Sequence, residues 1–229
     1  IFFWRVNSFE SECMKQNELK ELDFVKKRAL SKETDIADHL ENIFYESIIT
    51  SPKLIVELGV RHGESTTIFD QVAKKCGSQH VSLDIDDCSN VIDNDSWIFV
   101  QGDDIEFSKR YVDWCKDKDF NHEIDVLFID TSHTYQHTLQ EMNHWFKFLS
   151  KNATVIFHDT NSNNVNRRKS GKLYSKINRY PQREVIQAIE EYFSCTFNEK
   201  EEFYTYKKDF LIKHYPYSFG LTVLRKIEQ

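Results

Sequence analysis

The chain has 229 residues, a formal net charge of -7, 40% hydrophobic and 29% charged residues, which excludes a disordered chain, a collagen-like repeat and a pure coiled coil. No run approaches the roughly 18 apolar residues of a membrane span, and the acid excess speaks against general nucleic-acid binding. Five cysteines without a C-x-x-C pair argue against a disulfide framework or zinc ribbon and fit a reducing, cytoplasmic setting. The chain opens at Ile1 without a Met, as a trimmed chain or one domain of a longer one would, and Ile1-Phe2-Phe3-Trp4 is too short for a signal-peptide core.

Two helical stretches are predicted first, over about 18–30 and 35–49, the second capped by Thr34 or Asp35. Residues 1–51 read as a helical extension and 52–229 as one domain. From Leu54 the sequence alternates short apolar runs with amphipathic stretches: LIVELGV (54–60), HVSLDID (80–86), WIFVQGD (97–103), IDVLFID (124–130) and ATVIFHD (153–159) read as buried strands, with helices predicted over 65–75, 107–116 and 136–149. This alternation predicts an α/β fold with a mostly parallel sheet and helices on both faces. Residues 161–182 form a polar basic stretch containing Arg167, Arg168, Lys169, Lys172, Lys176 and Arg179, too long for a routine connection and expected to be a functional or disordered loop. A helix over 183–193 and strands over 203–206 and 219–225 complete the chain, for seven strands in all.

In an open parallel sheet, ligands bind beyond the carboxyl ends of the strands, and each predicted strand ends in a carboxylate or a glycine. The first runs into Glu57-Leu58-Gly59-Val60-Arg61-His62-Gly63-Glu64-Ser65, a turn that lets a ligand approach the backbone and offers helix N–H groups to a dinucleotide, a phosphate or nothing. Asp84, about 25 residues after Gly59, suits both ribose hydroxyls of an adenosine or is a solvated strand-end acid. Asp103, after Gly102, suits an exocyclic amine such as adenine's, as does Asp104.

The E-x-G-x-x-x-G turn, Asp84 and Gly102-Asp103 resemble the first three motifs of class I S-adenosylmethionine-dependent methyltransferases. Ile124–Asp130 followed by Thr131-Ser132-His133-Thr134-Tyr135, then Trp145 and VIFHDT, resemble the metal-dependent O-methyltransferases grouped with macrolide-sugar and cephalosporin-pathway enzymes. The resemblance, over about 54–160, implies a Rossmann-like seven-stranded sheet whose last strand is antiparallel, with S-adenosylmethionine held by Glu57, Gly59, Gly63, Ser65, Asp84 and Asp103. It implies a divalent ion, Mg2+ or Mn2+, on Asp130 and Asp159, with His158 as a third ligand or a supporting neighbour, and His133 as the general base, its ordinary pKa near 6.5 suiting that work; a histidine there could instead cap the next helix. Tyr135 is expected at the pocket wall. A zinc site on His133, His137, Glu141 and His144 is the competing arrangement, disfavoured because His133 is expected to precede the helix.

The implied reaction is methyl transfer to a hydroxyl of a small-molecule or glycan acceptor, a sugar by analogy. A catechol-type or natural-product phenol, an RNA tracked by the basic stretch, and a cofactor-binding module without activity are the alternatives. The basic stretch is expected to act as a lid, and the N-terminal helices to cover the acceptor or form a homodimer contact.

Overall fold

The computed structural model describes residues 8–31, 33–163, 165–175 and 183–227. Lys176 and Arg179 of the basic stretch, and Ile1 to Trp4, lie outside the described residues. In chain order the elements are α1 (Ser8–Ser31), a 3-10 turn (Ala37–His39), α2 (Leu40–Ile48), β1 (Leu54–Leu58), α3 (Glu64–Cys76), β2 (Gln79–Asp84), β3 (Trp97–Gln101), α4 (Asp104–Ser108) and α5 (Tyr111–Asp117). They continue with β4 (Ile124–Ile129), α6 (Tyr135–Trp145), a 3-10 turn (Phe146–Phe148), β5 (Leu149–His158), β6 (Val165–Arg167), β7 (Leu173–Ser175), α7 (Glu184–Phe193), β8 (Phe203–Lys207), β9 (Phe210–Tyr215) and β10 (Leu221–Lys226).

The main sheet has eight strands in the order β3-β2-β1-β4-β5-β10-β9-β8. The first five are parallel, β10 is antiparallel to both β5 and β9, and β8 is antiparallel to β9. The count therefore corrects the expected seven. The overlooked strand is β9, whose residues Phe210, Ile212 and His214 are buried while the alternate positions are more accessible. A strand that alternates in this way and carries Lys213 and His214 lacks the continuous apolar run that marks the central strands.

Successive side chains on a strand point to opposite faces, and the core divides accordingly. Leu54, Val56 and Leu58 of β1 join α4, α5, α6 and α7 through Phe107, Tyr111, Trp145 and Ile189. Ile55, with Val126 and Phe128 of β4, packs against Leu40 and Ile43 of α2 and Ile68, Phe69 and Val72 of α3. Glu57 shares the α3 face with Ile55, which decides its role below. On the α2 and α3 side, Arg28 of α1 makes two bonds to Glu64 at 2.8 and 3.0 Å, tying α1 to the first turn of α3.

The basic stretch, expected as a functional or disordered loop, carries two short strands. β6 and β7 pair as an antiparallel hairpin, and Arg168 at its tip is buried. Its Nη1 donates to Thr34 O at 2.8 Å and its guanidinium lies 4.9 Å from the centre of the Tyr174 ring. A guanidinium satisfied in this way can be buried where an isolated charge cannot. The hairpin is thereby seated on the connection between α1 and α2.

Candidate active site at the carboxyl ends of the strands

Strand order reverses between β1 and β4, and a cleft of about 700 Å³ opens beyond their carboxyl ends, where an open α/β sheet places its ligand. Gly59 makes the close approach possible. At φ 90° it occupies the left-handed region, and a Cβ there would lie 2.1 Å from the Asp130 carbonyl oxygen. Gly59 N–H donates to Leu83 O and Asp130 N–H donates to Leu58 O, each at 2.9 Å. The ends of β1, β2 and β4 are thus laced together with no room for a side chain at Gly59.

On the β2 and β3 side, Asp84 and Asp103 line the cleft. Asp84 Oδ2 accepts from Val60 N–H at 2.8 Å and Arg61 N–H at 2.9 Å, while Oδ1 accepts from Asp86 N–H at 3.0 Å. The carboxylate holds the β1 turn as well as facing the cleft. Asp103 caps α4, its Oδ1 accepting from Glu106 N–H at 2.9 Å. Three expected cofactor contacts lie elsewhere. Glu57 is fully buried, accepting from Ser65 Oγ at 2.7 Å, Thr66 Oγ1 at 3.1 Å and Ser82 Oγ at 2.5 Å. Glu57 and Ser65 therefore join β1, α3 and β2 beneath the turn and do not line the cleft, because the alternation of β1 turns residue 57 toward α3. Gly63, at φ 73°, opens α3 and faces Val91, which a Cβ would approach to 2.9 Å.

On the β4 and β5 side the structure brings Asp130, His133, His158 and Asp159 together. His133 Nε2 is 2.9 Å from Asp130 Oδ1 and 3.1 Å from Asp159 Oδ2. His158 Nδ1 is 3.3 Å from the same two oxygens. Both His133 and Asp159 adopt φ 57°, an uncommon conformation for residues with a side chain that tends to mark functional turns. Burial disfavours a charged His158, yet the Asp130 and Asp159 carboxylates outweigh it and raise its pKa well above the ordinary value. The same contest raises His133, with Asp159 the leading partner. Partial burial opposes ionisation of Asp130, but its carboxyl is held far below the usual carboxylate range, chiefly by His158 and then by the bond to His133.

The sequence offered no signal for His39, whose ring meets His158 edge-on at 5.8 Å. His39 is fully buried and its Nε2–H donates to Tyr217 O at 2.8 Å. Burial, reinforced by the nearby His158, pushes its pKa down to about 3, so it backs His158 as a neutral ring. Asp35 and Arg61 also line the cleft. Tyr135, by contrast, turns from the cleft to α7, where its hydroxyl meets Glu191 and its N–H donates to Glu184 Oε2 at 2.6 Å. The four-membered zinc arrangement is not formed, since His133 precedes α6 and His144 Nδ1 bonds Ser108 Oγ at 2.9 Å.

Asp130, Asp159 and His158 suit a divalent ion by their chemistry: two hard oxygen donors and one imidazole nitrogen from adjacent strand ends, the nitrogen 3.3 Å from an oxygen of each acid. His133 faces the same carboxylates. Among the described residues, Asp130, His133 and Asp159 form one of two groups whose ligand atoms all lie within 4.8 Å of one another.

Residues 56–160 match a family described as a methyltransferase domain. No curated protein sequence matches the chain. Among solved structures, the Podospora anserina methyltransferase PaMTH1, crystallised with SAH, aligns over 100% of both chains at 11% identity and a TM-score of 0.54. A putative O-methyltransferase from Klebsiella pneumoniae aligns over 91% of this chain and 90% of its own at 15% identity and a TM-score of 0.51. The MycE methyltransferase of the mycinamycin biosynthetic pathway, solved with Mg and SAH, is 21% identical over 61% of this chain, with a TM-score of 0.46; the chain spans only 39% of its length. No described helix is long and apolar enough to cross a membrane. The chain shares the α/β fold of the Podospora methyltransferase, and residues 56–160 match a methyltransferase domain.

Proposed function

We propose that the chain is an S-adenosylmethionine-dependent, divalent-metal-dependent O-methyltransferase acting on a hydroxyl of a sugar or glycan end. The observation that carries this reading is the meeting of Asp130, His158 and Asp159 at the ends of β4 and β5, in the cleft that Asp84 and Asp103 line from the β2 and β3 side. That division gives a donor half and an acceptor half. S-adenosylmethionine bound in the first would supply the methyl group. A cation held by Asp130, Asp159 and His158 would supply a Lewis acid that lowers the pKa of an acceptor hydroxyl.

The protein's own groups divide the remaining work. Asp84 positions the nucleoside end through its carboxylate and, by holding Val60 and Arg61 N–H, keeps the Gly59 turn in place. His133 stands on the β4–α6 turn at the cleft wall, where an imidazole can take the acceptor's proton. The sugar acceptor rests on the resemblance of the β4 end and the His133 turn to macrolide-sugar enzymes, and the SAH-bound Podospora structure supports the donor.

The test is methyl transfer from labelled S-adenosylmethionine to a panel of sugars, glycan ends and catechols. Turnover on a polyol is expected with Mg2+ or Mn2+, abolished by EDTA and restored by the ion. Full turnover in chelator would remove the metal from the reading, and turnover confined to catechols would replace the acceptor.

A further inference from the structure

A second group of ligand atoms lies in the wall of the cleft on the β3 side. Asp104 opens α4, and His137 and Glu141 stand one turn apart on α6. His137 Nε2 is 3.0 Å from Asp104 Oδ1 and 3.7 Å from Glu141 Oε1, and the three donor atoms lie within 4.8 Å of one another. Glu141 is fully buried and Asp104 nearly so. Thr131 Oγ1 donates to Glu141 Oε1 at 2.6 Å, as an outer partner orients a metal-binding carboxylate.

An independent observation is the mismatch of donors and acceptors. Asp104 Oδ2 and Glu141 Oε2 are both buried without a hydrogen-bond partner among the described residues. Buried carboxylate oxygens are normally paired, but His137 Nε2 faces Asp104 Oδ1 and Glu141 Oε1 and leaves the other oxygen of each carboxylate unserved. Burial and the neighbouring Asp104 push the Glu141 carboxyl up to about 8, since His137 brings one positive charge to two buried carboxylates. A divalent cation would supply that charge and engage the free oxygens.

We propose that Asp104, His137 and Glu141 form a second metal site, selective for Zn2+ and its first-row neighbours over Mg2+. One nitrogen and two carboxylate oxygens match a three-ligand zinc set with an open fourth position, and the cleft lies on the side of Asp104 and His137. A four-coordinate ion with bonds of about 2.0–2.2 Å holds its ligand atoms about 3.3–3.6 Å apart, between the 3.0 and 3.7 Å separations at His137. Mg2+ prefers an octahedron of oxygens and retains water. The ion would clamp α4 to α6 and so fix the cleft wall beside Asp103. This site uses none of the ligands assigned to the catalytic ion, so it stands or falls separately from the methyl-transfer reading.

Co2+ titrated into the metal-stripped full chain tests it, followed by visible absorption and by bound metal after gel filtration. The double variant Asp130→Asn/Asp159→Asn should retain one Co2+ with the strong absorption of a four-coordinate ion, displaced by Zn2+ but not by equimolar Mg2+. His137→Asn should weaken that binding at least tenfold, and Glu141→Gln, which keeps the side-chain shape, should reduce the wild-type stoichiometry by one. Unchanged stoichiometry in both of these variants would overturn the proposal, as would a folded Asp130→Asn/Asp159→Asn protein that binds no Co2+. Displacement by equimolar Mg2+ would overturn the choice of ion.

Discussion

Ser65 Oγ donates to Glu57 Oε1 at 2.7 Å, so two residues that the E-x-G-x-x-x-G turn offers as cofactor contacts hold each other inside the protein. Glu57 also receives Thr66 and Ser82, and Trp97 Nε1 in turn donates to Ser82 Oγ at 2.9 Å. This is a buried network in which one carboxylate satisfies three hydroxyls. Glu57→Ala should therefore act on stability first, by about 3 kcal/mol, because it strands buried hydroxyl groups. Urea unfolding should show that loss, with S-adenosylmethionine affinity changing little in the fraction that stays folded. A large loss of affinity at unchanged stability would return Glu57 to the cofactor.

Gly59 sits where the proposed cofactor half of the cleft meets the proposed metal half. Its carbon skeleton cannot be extended without meeting the Asp130 backbone oxygen, and its φ of 90° penalises any side chain. Gly59→Ala is expected to destabilise the protein by more than about 1 kcal/mol and to weaken Mn2+ and S-adenosylmethionine binding together, since the shift falls on the backbone of Asp130, a proposed metal ligand. Calorimetry with each ligand separately is the check; loss of one affinity alone would show that the two halves are independent.

The central strands and the meeting of Asp84, Asp103, Asp130 and Asp159 at one cleft were legible because both follow from short-range pattern: continuous apolar runs for strands buried on both faces, and acids placed at the carboxyl ends of parallel strands. The side on which a strand-end residue points was less legible. Glu57 lies two residues before Gly59, on the side of the sheet covered by α3, whereas Asp84 follows the last buried residue of β2 and faces the cleft. His39 and Arg168 were not legible at all, since their surroundings come from chain segments far away: Tyr217 for His39, and Thr34 for Arg168. The cluster on α4 and α6 brings Asp104 to His137 and Glu141, 33 and 37 positions away, a distance that no motif spacing encodes.

Asp84 is expected to carry much of the affinity for the nucleoside. Hydrogen bonds to a charged group are worth about 1.5–3 kcal/mol, so Asp84→Ala should weaken S-adenosylmethionine binding by about tenfold to a hundredfold. The same carboxylate accepts Val60 and Arg61 N–H, so Asp84→Asn, which keeps an acceptor oxygen, should lose less. Equal binding by wild type and Asp84→Ala would remove the ribose role.

His133 separates a base from a ligand. If it takes the acceptor's proton, His133→Ala should lower turnover about a hundredfold or more while S-adenosylmethionine and Mn2+ still bind. Its imidazole touches both Asp130 and Asp159, so the metal titration is the discriminating half of the experiment. A parallel loss of Mn2+ affinity would make His133 a ligand; unchanged turnover would make it a turn residue.

The pH dependence of stability in metal-free protein follows from the α4 and α6 cluster. Glu141 is pushed up from 4.5 to about 8, by burial and then by Asp104. His137 is raised from 6.5 to about 9, first by its bond to Asp104, with burial opposing. Both groups hold their protons more tightly folded than unfolded, so their contributions are present at low pH and disappear as pH rises. The Glu141 part is lost between 4.5 and about 8, and the His137 part between 6.5 and about 9. Stability of the wild type in EDTA should therefore fall from about pH 5.5 to about pH 8.5 more steeply than that of Glu141→Gln, which cannot titrate at that position. Urea midpoints measured across this range give the comparison, and parallel curves would mean that Glu141 ionises in the folded protein as it does in the unfolded chain.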